Sequence, residues 1–205
     1  MIRINSKCKR EERGNDAYFT PPQAAKALIA IEKLPQRILD PCCGSGQILD
    51  VLRKKGHTVR GSDIVDYGWP GTAIRDYLSQ PLSMRGTGIV TNPPYDAVTG
   101  TAKQFVEKAI ADGCQYHAWL LRMNFLESIG RLPMFRKHPP SRIWISSRRL
   151  PMMHREGWEG NKAPSNITYM WIVWDANSED RCKLNWFDWK VKRRPPPANY
   201  QATYN

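Results

Sequence analysis

Hydrophobic and polar positions along the chain follow two periods, one typical of helices and one typical of buried strands. Three segments place their apolar residues on one face of a helix: Pro22–Lys33, Gln47–Lys55 and Ala102–Asp112. Short apolar runs predict strands at Arg37–Leu39, Thr58–Ile64, Gly88–Thr91, His117–Arg122, Arg142–Ser146 and Thr168–Trp174. Because strands alternate with helices, we expect an α/β fold built on a mostly parallel, doubly wound sheet.

Beyond Asp175 this pattern weakens. Leu184–Val191 predicts one further strand at a sheet edge, and the proline-rich Arg193–Asn205 predicts an extended or disordered tail. A chain of 205 residues is expected to form one core rather than two. We therefore divide it into a basic N-terminal segment (1–15), a main domain (16–176) and a basic C-terminal extension containing Trp and Pro (177–205).

The composition excludes several classes of protein. Hydrophobic residues make up 41% and aromatic residues 10% of the chain, which is enough for a packed core and argues against general disorder. The longest apolar run, Tyr169–Trp174, is far shorter than the roughly 18 residues of a membrane span, and the charged N-terminus lacks a secretory signal. The five cysteines include no C-x-x-C pair, so neither a disulfide framework nor a metal site is expected.

The charge of the chain is strongly positive and unevenly distributed. Lys and Arg number 31 against 19 Asp and Glu, a net charge of +12. The stretch Ser128–Arg155 holds seven of the basic residues and no acidic one. A solvated surface would explain a short run of charge, but an acid-free stretch that crosses predicted strands and loops favours a polyanionic partner, most simply nucleic acid.

A glycine-rich turn, DPCCGSG at Asp40–Gly46, follows a predicted strand and precedes a predicted helix. Its two glycines let the backbone turn tightly and leave room for an approaching nucleotide. Leu49 stands where a dinucleotide-binding turn has its third glycine, and Gln47 stands where a phosphate-binding loop has lysine. A ligand that contains adenosine but no pyrophosphate therefore fits this turn better.

Two carboxylates follow this turn along the chain. Asp63 lies 23 residues after Asp40 at the end of the next strand, where a carboxylate can accept both hydroxyls of a ribose. Asp76 can accept a hydrogen bond from an adenine amino group. An aspartate at a strand end more often caps a turn or a helix, so neither residue is decisive alone.

The sequence NPPY at Asn92–Tyr95 directly follows the predicted strand Gly88–Thr91. Two consecutive prolines lack N–H groups and have a fixed φ, so they hold carbonyl oxygens outward in a rigid turn. The Asn92 side-chain oxygen and the Pro93 carbonyl form a pair of acceptors suited to an exocyclic amino group. The Tyr95 ring offers a face on which a planar base or amide can stack.

Taken together, these motifs resemble those of the S-adenosylmethionine-dependent N6-adenine DNA methyltransferases, in particular small enzymes of bacteriophages and prophages. Asp16–Pro22 resembles the family's N-terminal F-x-T-P segment, Asp40–Gly46 its motif I and Asn92–Tyr95 its catalytic motif IV. Asp63 and Asp76 resemble the acids of motifs II and III. The resemblance covers most of residues 16–175 with the motifs in the family's order.

The resemblance implies a Rossmann-like, mostly parallel seven-stranded sheet with helices on both faces and an antiparallel last strand. It implies S-adenosylmethionine as the cofactor, a cytoplasmic location in a bacterial or phage-infected cell, and catalysis by Asn92, Pro93, Pro94 and Tyr95. The cofactor-binding residues that it implies are Tyr18, Phe19, Thr20, Asp40, Cys42, Gly44, Gly46, Asp63, Ile64, Asp76, Tyr77 and Asn92.

The implied substrate is DNA, with RNA as an alternative, and its target base must leave the helix to reach the catalytic turn. The expected nucleic-acid-binding residues lie in the acid-free stretch and in the glycine-containing loop that follows it: Arg148, Arg149, His154, Arg155, Trp158 and Lys162. Family members that read a defined site usually carry a target-recognition domain. This sequence leaves only the loops 96–101 and 151–167 and the two ends for that task, so low or short sequence specificity is expected.

Three other functions remain open from the sequence. NPPY also occurs in enzymes that methylate amino groups of RNA bases and in enzymes that methylate glutamine side chains of proteins. The positive charge makes a protein substrate less favoured. A domain that binds nucleic acid without catalysis is the third alternative, and the intact NPPY and DPCCGSG motifs argue against it.

Overall fold

The computed structural model describes residues 20–79, 81–95, 100–152 and 167–190. The helices are α1 (Pro22–Ile31), α2 (Gln47–Lys54), α3 (Thr101–Ala111) and α4 (Leu132–Lys137), with one 3₁₀ helix at Met123–Leu126. The strands are β1 (Arg37–Asp40), β2 (Thr58–Asp63), β3 (Ala73–Ile74), β4 (Thr87–Thr91), β5 (Tyr116–Arg122), β6 (Arg142–Ser146), β7 (Tyr169–Asp175) and β8 (Lys183–Phe187). The predicted tail Arg193–Asn205 lies outside the described residues.

All the strands join one sheet in the order β3-β2-β1-β4-β5-β7-β6-β8. Strand β7 runs antiparallel to both of its neighbours, β5 and β6, and the other pairs are parallel. The predicted α/β architecture with a mostly parallel sheet is confirmed.

The predicted count of seven strands is wrong, because the described residues already form a sheet of eight. Strand β3 contains only two residues, which is too short for a hydrophobic period to reveal. The antiparallel strand β7 is also not the last one. The chain continues into β8, which pairs parallel to β6 and lies within the predicted C-terminal extension.

The core lies on both faces of the sheet, because successive residues of the central strands point to opposite sides. Trp171 and Val173 of β7 pack in a cluster with α1 and α2, whereas Met170 and Ile172 pack in a cluster with α3 and α4. The prediction of helices on both faces is therefore confirmed. Within the described ranges, no helix is long and apolar enough to cross a membrane.

A buried ion pair fixes helix α1 against the sheet. Glu32, at the end of α1, accepts hydrogen bonds from Arg142 Nε at 2.7 Å, from Trp144 Nε1 at 2.6 Å and from the Tyr116 hydroxyl at 3.2 Å. The Glu32 side chain is only 2% exposed, so the guanidinium of Arg142 compensates a charge that would be costly alone. Because α1 is fixed in this way, the segment just before it is held beside the carboxyl ends of the strands.

Candidate active site

The carboxyl ends of β1, β2 and β4 meet at one edge of the sheet, where an open cavity of about 210 Å³ lies. Ligands of open α/β sheets bind at this edge. The cavity is lined by these residues predicted from the sequence: Thr20, Asp40, Cys42, Gly44, Asp63, Ile64, Asp76, Tyr77, Asn92, Pro93 and Pro94. Residues from distant parts of the chain therefore share one cavity wall. Tyr18 and Phe19 lie outside the described residues.

Asp40 is the buried carboxylate of the site, with 1% of its surface exposed. Its Oδ1 accepts hydrogen bonds from the Thr91 hydroxyl at 2.6 Å and from the Cys42 N–H at 3.1 Å. Burial raises the pKa of Asp40 to about 7, although these two hydrogen bonds lower it, and the nearby charge of Asp63 adds a smaller increase. Asp40 therefore changes its charge near neutral pH. The contact with Thr91 was not predicted from the sequence.

Asp63 and Asp76 both support turns in the way expected of an aspartate after a strand. Asp63 Oδ2 accepts a hydrogen bond from the Gly44 N–H at 2.9 Å, and Asp76 Oδ1 accepts one from the Leu78 N–H at 2.9 Å. Both residues also line the cavity. The capping role and the predicted binding role are thus compatible, because a carboxylate has several acceptor positions.

Gly46 is the last residue of the turn and is not among the described residues of the cavity wall. Its φ is +80°, and a Cβ at this position would lie 1.8 Å from Cδ1 of Trp69. The Trp69 indole N–H donates to Asp50 Oδ1 at 3.0 Å, which fixes the ring against the turn. Gly46 is therefore required by the backbone and by Trp69, a residue that the sequence did not associate with the site.

The catalytic turn is tied to the N-terminal segment through an amide hydrogen bond. Asn92 Nδ2 donates to the buried Thr20 hydroxyl oxygen at 2.9 Å, across 72 residues of sequence. This contact orients the amide so that its Oδ1 points away from Thr20. Pro93 and Pro94 line the cavity next to Asn92.

Tyr95 lies beside the cavity rather than among its described lining residues. Its hydroxyl contacts Asn92 Oδ1 and the Leu120 carbonyl oxygen, the latter at 2.9 Å. The Arg122 guanidinium lies 4.7 Å from the centroid of the Tyr95 ring, and the Tyr169 ring lies 6.0 Å away. The ring that was predicted to stack on a substrate thus already has an arginine over it.

Neither cysteine of the glycine-rich turn is suited to be a nucleophile. Burial raises the pKa of Cys42 well above its ordinary value and that of Cys43 to about 12. Both are therefore protonated thiols at neutral pH, whereas the reactive form is the thiolate. Cys43 packs in a small cluster with Leu49 and Trp69.

The predicted nucleic-acid-binding residues are only partly described. Arg148 and Arg149 follow β6 at the same edge of the sheet as Asn92, and both are exposed. Arg148 Nε lies 2.6 Å from Asp188 Oδ2, so its charge is partly compensated. His154, Arg155, Trp158 and Lys162 lie outside the described residues. Among the side chains that the structure does describe, no group of three suits a metal ion.

Comparison with known proteins gives similarity in structure only. No family profile and no curated protein sequence match the chain. The ATP-dependent Type ISP restriction-modification enzyme LlaBIII bound to DNA superposes with a TM-score of 0.50 and 11% identity, over 83% of this chain and 19% of LlaBIII. The 23S rRNA methyltransferase ErmE superposes with a TM-score of 0.50 and 14% identity, over 78% of this chain and 68% of ErmE.

A third similar structure is the 1,6-didemethyltoxoflavin-N1-methyltransferase of Burkholderia thailandensis, with S-adenosylhomocysteine bound. Its TM-score is 0.48 and its identity 14%, over 79% of this chain and 77% of that enzyme. The chain has the same Rossmann-like α/β fold as the methyltransferase ErmE. At 11–14% identity this likeness shows the fold alone, and S-adenosylmethionine as the cofactor stays a prediction.

Proposed function

We propose that this protein transfers the methyl group of S-adenosylmethionine to the N6 amino group of adenine in DNA, with low or short sequence specificity. One observation carries the proposal. Asn92 and Pro93, the acceptors suited to an amino group, line the same cavity as Asp40, Gly44 and Asp63 of the cofactor turn. A methyl donor and an amino acceptor can therefore meet in one place.

The residues of the cavity fit the cofactor. No atom lies within 4 Å of a Cβ built on Gly44, so the turn leaves open space for a ligand. Asp63 would hold the ribose hydroxyls and Asp76 the adenine amino group, while the side chain of Ile64, which is 64% exposed, offers an apolar surface to the adenine ring. Thr20 would lie at the methionine end. When bound, the cofactor supplies an electrophilic methyl group on its sulfonium.

The protein's own contribution is to position and polarise the target amine. The lone pair of an adenine amino group is delocalised into the ring, which makes the nitrogen a poor nucleophile. Accepting its two hydrogens at Asn92 Oδ1 and at the Pro93 carbonyl favours a pyramidal nitrogen and directs the lone pair towards the methyl group. The Thr20 contact holds the Asn92 amide in the orientation that this role requires.

The preference for nucleic acid rests on charge. The net charge is +12, and Arg148 and Arg149 are exposed at the edge of the sheet that carries the cavity. Lys and Arg at such an edge can contact phosphates, which position a strand but read little of its sequence. The same surface would serve an adenine in RNA, so RNA is the first alternative.

The test is a methyl-transfer assay with tritiated S-adenosylmethionine and four separate acceptors: duplex DNA, single-stranded DNA, total RNA and protein. We expect label in DNA, and N6-methyldeoxyadenosine after digestion and mass spectrometry. Mapping that base across a treated plasmid is expected to show a motif of only a few bases. Label found only in RNA or only in glutamine side chains would contradict the proposal and favour an RNA or a protein methyltransferase. Cofactor binding without any methyl transfer would favour a non-catalytic domain.

We expect Asp63→Ala to weaken cofactor binding about tenfold to a hundredfold, because a charged hydrogen bond worth about 1.5–3 kcal/mol is lost. Isothermal titration calorimetry with S-adenosylhomocysteine measures this effect. Asp63→Asn is the matched control, since an amide oxygen can still accept from the Gly44 N–H and so preserve the turn. An Asp63→Ala variant with unchanged affinity would remove Asp63 from the binding site.

We expect Arg149→Ala to make DNA binding less dependent on salt. Each phosphate contact contributes about 0.9 to the slope of log K against log salt concentration, so the slope should decrease by about that amount. The slope is measured by fluorescence anisotropy of a labelled duplex at salt concentrations between about 50 and 200 mM. Over this range such phosphate contacts are strongly screened. Arg85→Ala is the control, because Arg85 is exposed before β4 at the opposite edge of the sheet.

A further inference from the structure

The hydroxyl of Tyr95 contacts the acceptor atom that the proposed reaction needs. It contacts Asn92 Oδ1 as well as the Leu120 carbonyl oxygen. Asn92 Oδ1 is also the atom to which the target amine must donate. In this conformation, therefore, the tyrosine hydroxyl takes one of the two acceptor positions of this oxygen, and the amine must share the oxygen with it or displace it.

Arg122 holds Tyr95 in this position. It is the last residue of β5, directly opposite Tyr169 in the pairing of β5 with β7. Its guanidinium lies 4.7 Å from the centroid of the Tyr95 ring, while the Tyr169 ring lies 6.0 Å from the same ring at an angle of 53°. A planar, weakly hydrated guanidinium stacks on an aromatic ring much as a base does. One face of the Tyr95 ring, on which a target base could stack, is thus covered by an arginine.

The charge of Arg122 indicates what could remove it. A guanidinium is always protonated and binds phosphate through two parallel hydrogen bonds, which are stronger than a neutral contact. Arg122 ends β5 at the edge of the sheet where Arg148 and Arg149 follow β6, so a strand of nucleic acid along this edge brings phosphates to it. A substrate without phosphates offers no such partner.

Resting on the proposed function, we propose that Arg122 and Tyr95 form a latch that a nucleic-acid strand opens. A phosphate of the substrate draws Arg122 away from the Tyr95 ring, and the hydroxyl then leaves Asn92 Oδ1. The target base takes the place of the guanidinium on the ring, and its amine takes the place of the hydroxyl. Arg122 is thus a positioning residue that restricts the site to bases carried on a phosphate backbone.

Tyr95→Phe tests the hydroxyl, because it keeps the ring and removes the competing donor. We expect kcat/KM for DNA to rise roughly threefold to tenfold, the effect of removing one hydrogen bond that must otherwise be broken. Affinity for S-adenosylhomocysteine should stay unchanged. A value of kcat/KM at or below that of the wild type would overturn the latch.

Arg122→Ala removes the guanidinium and is tested on two substrates, DNA and free deoxyadenosine. A purely structural role of Arg122 would change the methylation of both substrates alike. On DNA, the latch predicts a salt slope of log K smaller by about 0.9, because one phosphate contact is lost. On free deoxyadenosine, which has no phosphate to draw the guanidinium away, it predicts faster methylation than by the wild type. Arg122→Lys keeps the charge, so its salt slope should stay at the wild-type value while its activity on deoxyadenosine rises.

These experiments separate the latch from the proposed function. If wild-type protein methylates DNA but Arg122→Ala slows both substrates together, Arg122 is only structural and the latch is wrong. If wild-type protein binds S-adenosylhomocysteine but methylates no nucleic acid, the proposed function is wrong and the latch falls with it. Arg85→Ala, at the opposite edge of the sheet, should match the wild type on both substrates.

Discussion

Replacing Asn92 with alanine is expected to reduce methyl transfer by about a hundredfold to a thousandfold while leaving cofactor binding close to that of the wild type. Losing one preorganised hydrogen-bond partner of a reacting group costs about this much in kcat. In the proposed reaction the Asn92 oxygen accepts from the target amine rather than from the cofactor, so the loss should fall on kcat rather than on affinity for the cofactor.

Single-turnover transfer from tritiated S-adenosylmethionine measures the chemical step, and calorimetry with S-adenosylhomocysteine measures binding. Asn92→Asp is expected to lie between the wild type and alanine, because a carboxylate still accepts hydrogens but cannot donate to Thr20 as Nδ2 does. Asn177→Ala, in an exposed turn, is the control. Near-normal turnover by Asn92→Ala would contradict the role of the NPPY turn.

The fold was largely predictable because most strands are long enough to show a pattern. The buried strands β4, β5, β6 and β7 contain five to seven residues each, and each shows a run of apolar side chains. Strand β3 has two exposed residues, and only its pairing with β2 makes it a strand. A short edge strand of this kind depends on tertiary contacts that a local pattern cannot reveal.

The cavity wall was predictable where a residue stands at a strand end. Asp40, Asp63 and Asn92 fall into this class, because parallel strands bring their carboxyl ends together. Contacts between distant residues were not predictable. The Thr91 hydroxyl reaches Asp40 across 51 residues, and Arg122 reaches the ring of Tyr95 from a different strand. These contacts depend on strand order and side-chain direction, which no local motif specifies.

Asp40→Asn is expected to stabilise the protein at alkaline pH. Burial raises the folded-state pKa of Asp40 to about 7 from an ordinary value of 3.8, so the folded state holds this proton more tightly than the unfolded chain does. The contribution of Asp40 to stability is therefore greatest below pH 3.8 and is lost as the pH rises through 7. Asparagine stays neutral and can still accept the hydrogen bonds of Thr91 and Cys42 through its Oδ1.

The expected gain in the free energy of unfolding is up to about 4 kcal/mol above pH 7, and it should disappear below about pH 4. Urea unfolding of the cofactor-free protein measures the difference at pH 8, where the full gain is expected, and at pH 4.5, where most of it should be lost. Burial lowers the pKa of His117 to about 3, so His117 destabilises the fold as the pH falls below 6.5. His117 is present in both proteins, and its effect cancels when the variant is compared with the wild type at each pH.

The same substitution should cost function, because the charge of Asp40 lies on the wall of the cofactor cavity. S-Adenosylmethionine carries a positive sulfonium, which an ionised Asp40 attracts and a neutral one does not. Wild-type affinity for the cofactor should therefore fall as the pH decreases through 7, whereas the affinity of Asp40→Asn should stay low and constant. If the variant is instead less stable than the wild type at pH 8, the ionised Asp40 supports the fold, and its place in the cavity is structural.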